Sequence, residues 1–171
     1  MKKGLVEIDW LSINKYSNEE ISYFLFLEGK TMEAICKIRN LDNSIVQKHI
    51  IDGKIKYRFL VHSNDTDELF KSIAKAGKED KIYFLNSINE DNKNKLIELI
   101  KTNYVEMHPK DKEVAVWILG ELNEKSCLNI LIKASVHKFI NVRRMAVSAM
   151  GKLGDLRAEG ALLREIGRAH V

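Results

Sequence analysis

The chain echoes itself at an offset of 31 residues. Ala115-Val116-Trp117-Ile118-Leu119-Gly120-Glu121-Leu122 returns as Ala146-Val147-Ser148-Ala149-Met150-Gly151-Lys152-Leu153, and Ile130-Leu131-Ile132-Lys133 answers to Ala161-Leu162-Leu163-Arg164. A period of about 20–50 residues built from paired apolar helices describes a stack whose units bury their faces only against their neighbours. In both copies the first helix places apolar residues at i, i+3, i+4 and i+7: Ala115, Ile118, Leu119 and Leu122, then Ala146, Ala149, Met150 and Leu153. That spacing makes one buried stripe. Gly120 and Gly151 each cost about 1 kcal/mol of helix propensity against alanine. A glycine kept in both copies therefore points to close approach of a neighbouring helix. Asn123 and Gly154 fall at matching helix ends, where both types accept the left-handed cap conformation, and Asp155 can cap the returning helix. Phe84-Leu85-Asn86-Ser87-Ile88-Asn89 lines up with Ile118-Leu119-Gly120-Glu121-Leu122-Asn123 as a degenerate earlier copy.

The rest of the chain supports a helical reading. Ser17-Asn18-Glu19-Glu20 spells a capping box, and the helix it opens carries Ile21, Phe24 and Leu25 and stops near Gly29. Thr31 caps a second helix with Ile35 and Ile38 inward. Asn40-Leu41-Asp42 makes the turn, Asn40 tolerating a left-handed conformation and Asp42 serving as the next N-cap. A third helix with Ile45, Val46, His49 and Ile50 is expected to close at Gly53. Residues 54–61 alternate basic and apolar side chains, which fits a strand by period but leaves it without a partner; a helix fits nearly as well. Ser63-Asn64-Asp65-Thr66 is a polar break. Beyond it come helices marked by Leu69, Phe70 and Ile73, by Ile82, Phe84, Leu85 and Ile88, and by Leu96, Ile97 and Ile100. Pro109 sits between helices, where its missing donor does least harm.

These elements predict an all-α chain: a three-helix unit over 1–62, a degenerate helical repeat over 63–109, and clear repeats over 110–164. Residues 165–171 break the pattern. Read into codons as GAG ATC GGA AGA GCA CAC GTC, they resemble a common sequencing-library adapter whose next triplet in frame is a stop. The expectation is an alpha solenoid truncated near Arg164, with the gene running on.

Hydrophobic residues at 45% can fill a core, and no stretch reaches the roughly 18 uninterrupted apolar residues that span a bilayer. Cys36 and Cys127 lie singly in apolar runs and read as core residues of a reducing compartment. The chain is expected to be cytoplasmic, with no membrane partner. Net charge is +4, distributed as −2 over 1–28, +4 over 29–62, −2 over 63–111 and +4 over 112–171. Two basic blocks separated by an acidic one suggest two surfaces.

Val142-Arg143-Arg144-Met145-Ala146-Val147-Ser148-Ala149-Met150-Gly151-Lys152-Leu153-Gly154-Asp155 resembles a HEAT repeat of the short, bacterial, bilin-lyase-like kind. The resemblance departs from the family pattern at Leu156 and Asp111. It implies an alpha solenoid of helical hairpins and brings no particular ligand. Thr31-Met32-Glu33-Ala34-Ile35-Cys36-Lys37-Ile38-Arg39-Asn40-Leu41-Asp42-Asn43-Ser44-Ile45-Val46-Gln47-Lys48-His49-Ile50 resembles a bacterial helix-turn-helix, most like the module at the C-terminus of RecQ-type helicases.

A helix-turn-helix offers the N-terminal half of its second helix to a major groove. Here that half presents Asn43, Ser44, Gln47 and Lys48: amide and hydroxyl groups for base edges and a cation for phosphate. Lys54, Lys56 and Arg58 would extend the backbone contact. The competing expectation is a purely structural or protein-binding three-helix module. On the solenoid, Arg143 and Arg144 are the expected interaction ridge, against the alternative of a solvated face.

Catalysis finds little to use. The two cysteines and His49, His62, His108 and His137 fall at no metal-ligand spacing, and there is no phosphate loop or nucleophile elbow. Glu19-Glu20 and Asp65-Asp67-Glu68 fit helix starts better than an acid/base pair. No catalytic residue, metal or cofactor is expected. The favoured reading is a nonenzymatic adaptor that grips a protein partner through its solenoid and offers a head to duplex DNA. The alternative is a HEAT-class enzyme or enzyme-assisting factor, related to bilin lyases or DNA glycosylases, with its site in missing C-terminal repeats.

Overall fold

The computed structural model describes residues 1–154 together with Gly160, Leu163 and Gly167. The cap expected of Asp155 and most of the tail at 165–171 lie outside the described residues. The chain divides into two compact units, Met1–Ile73 and Ala74–Val171.

The first unit begins with a short hairpin, β1 (Lys2–Lys3) against β2 (Val6–Glu7), which sequence period could not signal over two-residue strands. Gly4 turns it at φ +58, close against the Val61 and Leu60 carbonyls, and the Leu5 N–H donates to Leu60 O at 2.8 Å. After a 3-10 stretch (Trp10–Lys15) come α1 (Asn18–Leu27), α2 (Met32–Arg39) and α3 (Asn43–Val61). The capping box at Ser17 and Glu20 forms in both directions, and the Thr31 hydroxyl caps α2 by accepting from Ala34 N at 3.1 Å. Asn40 closes α2 in the left-handed conformation at φ 53. Asp42 stands at the N-cap of α3 without a side-chain cap bond.

Three sequence expectations change here. The third helix does not close at Gly53; it continues to Val61, so the alternating stretch 54–61 is helical. Gly53 is buried mid-helix because Tyr23 of α1 lies on its Cα, and a Cβ there would overlap the tyrosine ring. Ile38, expected inward, is exposed, as is Ile45 of the third helix, while Ile35 and Val46 are buried completely. A tight two-helix corner has room for one apolar cluster, and these two residues fill it.

The core of this unit is aromatic. Tyr23 stacks on Tyr57 at 5.8 Å between centroids, and Phe24 meets Tyr16 edge-on at 4.9 Å. The buried Ser22 hydroxyl and His49 Nδ1 satisfy each other at 2.9 Å across α1 and α3. Trp10 is anchored by donating its indole N–H to Glu28 Oε1 at 2.7 Å. α4 (Thr66–Lys75) is started by Asp65, whose side chain accepts from Glu68 N, and the division between units falls within it.

The second unit is helical throughout its described residues: α5 (Lys78–Ser87), α6 (Glu90–Asn103), α7 (Pro109–Glu121), α8 (Leu128–Ala134) and α9 (Ile140–Leu153). Pro109 takes the first helical position of α7, where no intrahelical donor is required. α7 packs on α9, α8 packs on both, and α5 lies against α7, so helices one repeat apart stack side by side. The predicted stripes are buried at Ala115, Ile118 and Leu119 in α7 and at Ala146, Ala149, Met150 and Leu153 in α9, whereas Leu122 caps the end of α7 and is half-buried. Asn123 and Gly154 adopt the left-handed conformation at φ 53 and φ 62. Cys127 is buried and its thiol pKa is pushed up by that burial, whereas Cys36 is only half-buried.

Candidate functional site

α3 is a long helix with two distinct sides. Its inner stripe, Val46, His49, Ile50, Gly53 and Leu60, is buried against the rest of the unit. At about 100° per residue the expected contact residues can be placed around its axis. Relative to Gln47, residues Asn43, Lys54, Arg58, Ser44 and Lys48 fall within an arc of about 140°, opposite the buried stripe. All six, Gln47 included, are exposed. Along the axis, 43 to 58 spans about 22 Å, so the polar N-terminal half leads and the cations Lys54 and Arg58 trail.

Lys56 does not join them. It lies about 180° from Gln47, and its ammonium sits 3.5 Å from Glu20 Oε2 on α1. Lys54 shares the outward arc and also places its ammonium 5.1 Å above the Phe26 ring. Arg39, at the end of α2, is turned inward to donate to Asn18 Oδ1 at 3.1 Å. Two residues the sequence did not single out belong to the outward face: Ile51 and Ile55, 57% and 55% exposed. Their signal was available as apolar residues set opposite the Val46–Gly53 stripe, but it is masked when the helix is read as ending at residue 53. Asp52 borders the arc, about 140° from Gln47.

Glu20 anchors the far side of α3. Burial by itself would raise its pKa, but the Tyr57 hydroxyl donating to Oε2, the Ser17 N–H donating to Oε1 at 3.0 Å, and Lys56 outweigh it and hold the carboxyl low. The Tyr57 phenol is correspondingly pushed far up, first by its own burial and then by that carboxylate.

The second unit carries a groove of about 840 Å³ along α5, α7 and α9. Trp117 and Met145 form part of its floor, and Lys78, Lys81, Glu121 and Lys152 stand around them. The Lys81 ammonium lies 4.8 Å over the Trp117 ring, and Lys152 pairs with Glu121. The aromatic and acidic lining, Trp117 with Asp111, Glu113 and Glu121, all comes from α7, and the stack adds Lys78 and Lys81 from α5 and Met145 and Lys152 from α9. The expected ridge divides in two. Arg143 turns back to donate to His137 O at 3.0 Å and Lys138 O at 3.1 Å, while Arg144 is exposed. Among the described residues no three His, Cys, Asp or Glu side chains converge as metal ligands would, and no helix is long and apolar enough to cross a membrane.

Comparison with known families agrees with this architecture. Residues 18–101 match the model for a helix-turn-helix domain, and residues 94–169 match the model for HEAT repeats. The chain thus joins a helix-turn-helix domain to HEAT repeats, in an all-α fold. No curated protein and no solved structure matches it.

Proposed function

We propose that this chain is a nonenzymatic adaptor: the helix-turn-helix head contacts duplex DNA through the outward face of α3, and the HEAT array holds a protein partner. Both domain types support a binding or scaffold role in general. The observation that carries the finer reading is the segregation on α3, where Asn43, Ser44, Gln47 and Lys48 share one exposed arc over the leading half of the helix. Gln47 offers a bidentate amide for adenine, and Ile51, one turn further, offers an apolar contact for a thymine methyl. Lys54 and Arg58 lie further along the same arc, as phosphate contacts do.

The groove gives the enzymatic alternative a foothold in Trp117 and its neighbouring acids. Against it, Glu121 is tied to Lys152 and the Trp117 ring is covered by Lys81. These pairings suit a binding surface better than an acid or base held ready.

The test is fluorescence anisotropy of a labelled duplex titrated with the full chain across a range of salt. Each neutralised phosphate contributes about −0.9 to the slope of log affinity against log salt. Two or three cations on α3 predict a slope of about −2 to −3. Absent binding, or binding indifferent to salt, retires the DNA reading.

A further inference from the structure

From Lys125 to Gly154 the chain holds six lysines and arginines and no aspartate or glutamate. The loop between α8 and α9 sits within this stretch and exposes three apolar side chains in five residues: Val136 at 48%, Phe139 at 46% and Ile140 at 48%. The loop is held in shape. Arg143 donates to two of its carbonyls, the Phe139 N–H donates to His137 Nδ1 at 3.1 Å, and the His137 and Phe139 rings stack at 5.5 Å. Lys112, Lys138 and Arg143 surround His137 closely enough that, after burial, their charges lower its pKa.

We propose that this loop is a docking point for an acidic segment of a partner protein, one that sets apolar side chains against Val136, Phe139 and Ile140 and carboxylates against the surrounding cations. The proposal rests on the reading of the HEAT array as a protein-binding surface and locates where on it the partner sits. Charge complementarity selects the occupant, because the cations Lys112, Lys138 and Arg143 around His137 favour an anionic partner and penalise a cationic one. Geometry separates a protein from the other polyanions. The three apolar side chains are each about half exposed and fall within five residues of the chain. An apolar cluster bordered by cations fits the apolar centre and polar rim of a protein interface, and the vesicle titration below tests a bilayer in its place. A nucleobase needs an open aromatic face, and Phe139 already has the His137 ring stacked on it and the Lys138 ammonium 5.3 Å from its centroid.

The experiment titrates the full chain into a fluorescein-labelled amphipathic peptide with glutamates on one face and leucine and phenylalanine on the other. Parallel titrations use the same peptide with lysine for glutamate, vesicles of phosphatidylcholine with phosphatidylserine, and single-stranded oligothymidine. Salt-sensitive binding of the acidic peptide is expected, with no binding of the lysine version. Phe139 stands at the N-cap of α9 without a side-chain cap bond, a position aspartate suits, so Phe139→Asp retains the fold, as circular dichroism will verify. It weakens the acidic peptide about ten-fold, the loss expected for a buried anchor. Lys138→Glu weakens it similarly. Failure of the acidic peptide to bind, or equal binding of both peptides, overturns the proposal. So does loop-dependent binding of the vesicles or the oligonucleotide in its place. Binding lost in Trp117→Ala but kept in Phe139→Asp refutes this site while leaving the array a protein-binding surface.

Discussion

Glu121 and Lys152 occupy equivalent positions in successive repeats, 31 residues apart, and their side chains form an ion pair across α7 and α9. The repeat that is visible as a sequence echo is thus closed in space by opposite charges at one repeated position. Lys152→Glu places two carboxylates there, and it should cost about 0.5–1 kcal/mol, the range of a partly exposed pair. Adding Glu121→Lys restores the pair in reverse. A double-mutant cycle from denaturant unfolding should therefore return a favourable coupling that fades in high salt. A coupling of zero would separate the two side chains.

One residue before Glu121, Gly120 meets Ala149: a Cβ at 120 would lie 2.8 Å from Ala149 Cβ and 2.9 Å from its Cα. Propensity alone favours Gly120→Ala by about 1 kcal/mol. Overpacking works against it by about 1–3 kcal/mol. The net effect should be destabilising, because the obstacle is backbone and a short side chain that cannot rotate away. Among the described residues Gly151 meets nothing within 4 Å, so Gly151→Ala should be neutral or stabilising. Melting temperatures of the two variants that move together, or in the reverse order, would contradict the packing.

The Tyr57 hydroxyl and Glu20 predict a pH dependence in the head. Glu20 has a lowered pKa in the folded chain, so it binds fewer protons there than when unfolded. Its contribution is fully present above the ordinary carboxylate value of 4.5 and is lost as pH falls through the lower folded value. Tyr57→Phe removes one donor to that carboxylate and should cost about 1.5 kcal/mol near neutral pH. The difference from wild type should shrink below pH 4.5. A penalty that stays constant into acid would mean the loss is one of packing.

Much of this fold was legible because its signals are local. A capping box at Ser17 and a left-handed turn at Asn40 each name their own conformation, while the glycine shared by two repeats marks a close approach at Gly120 but, among the described residues, not at Gly151. Gly53 was misleading for the same reason. A glycine after an apolar run reads as a helix end, and only the distant Tyr23 explains why it lies inside one. That error hid Ile55 and grouped Lys56 with Lys54 and Arg58, whereas a helix carried through residue 53 keeps its angular phase and turns Lys56 away from them. The groove was illegible because Trp117, Met145 and Lys81 meet only when α5, α7 and α9 stack. Arg143 was read as a surface residue because a hydrogen bond from a side chain to a preceding loop leaves no periodic trace.

The arc of α3 led by Asn43, Ser44, Gln47 and Lys48 is the proposed DNA-facing surface, and two charge reversals test it side by side. Lys48→Glu and Lys56→Glu change net charge equally but lie on different sides of the helix. In duplex-DNA anisotropy titrations at low salt, Lys48→Glu should weaken binding at least about ten-fold and make the salt slope shallower by about 1. Lys56→Glu, facing Glu20, should change affinity far less once its fold is verified. Equal losses from the two variants, or no loss from Lys48→Glu, would contradict the assignment.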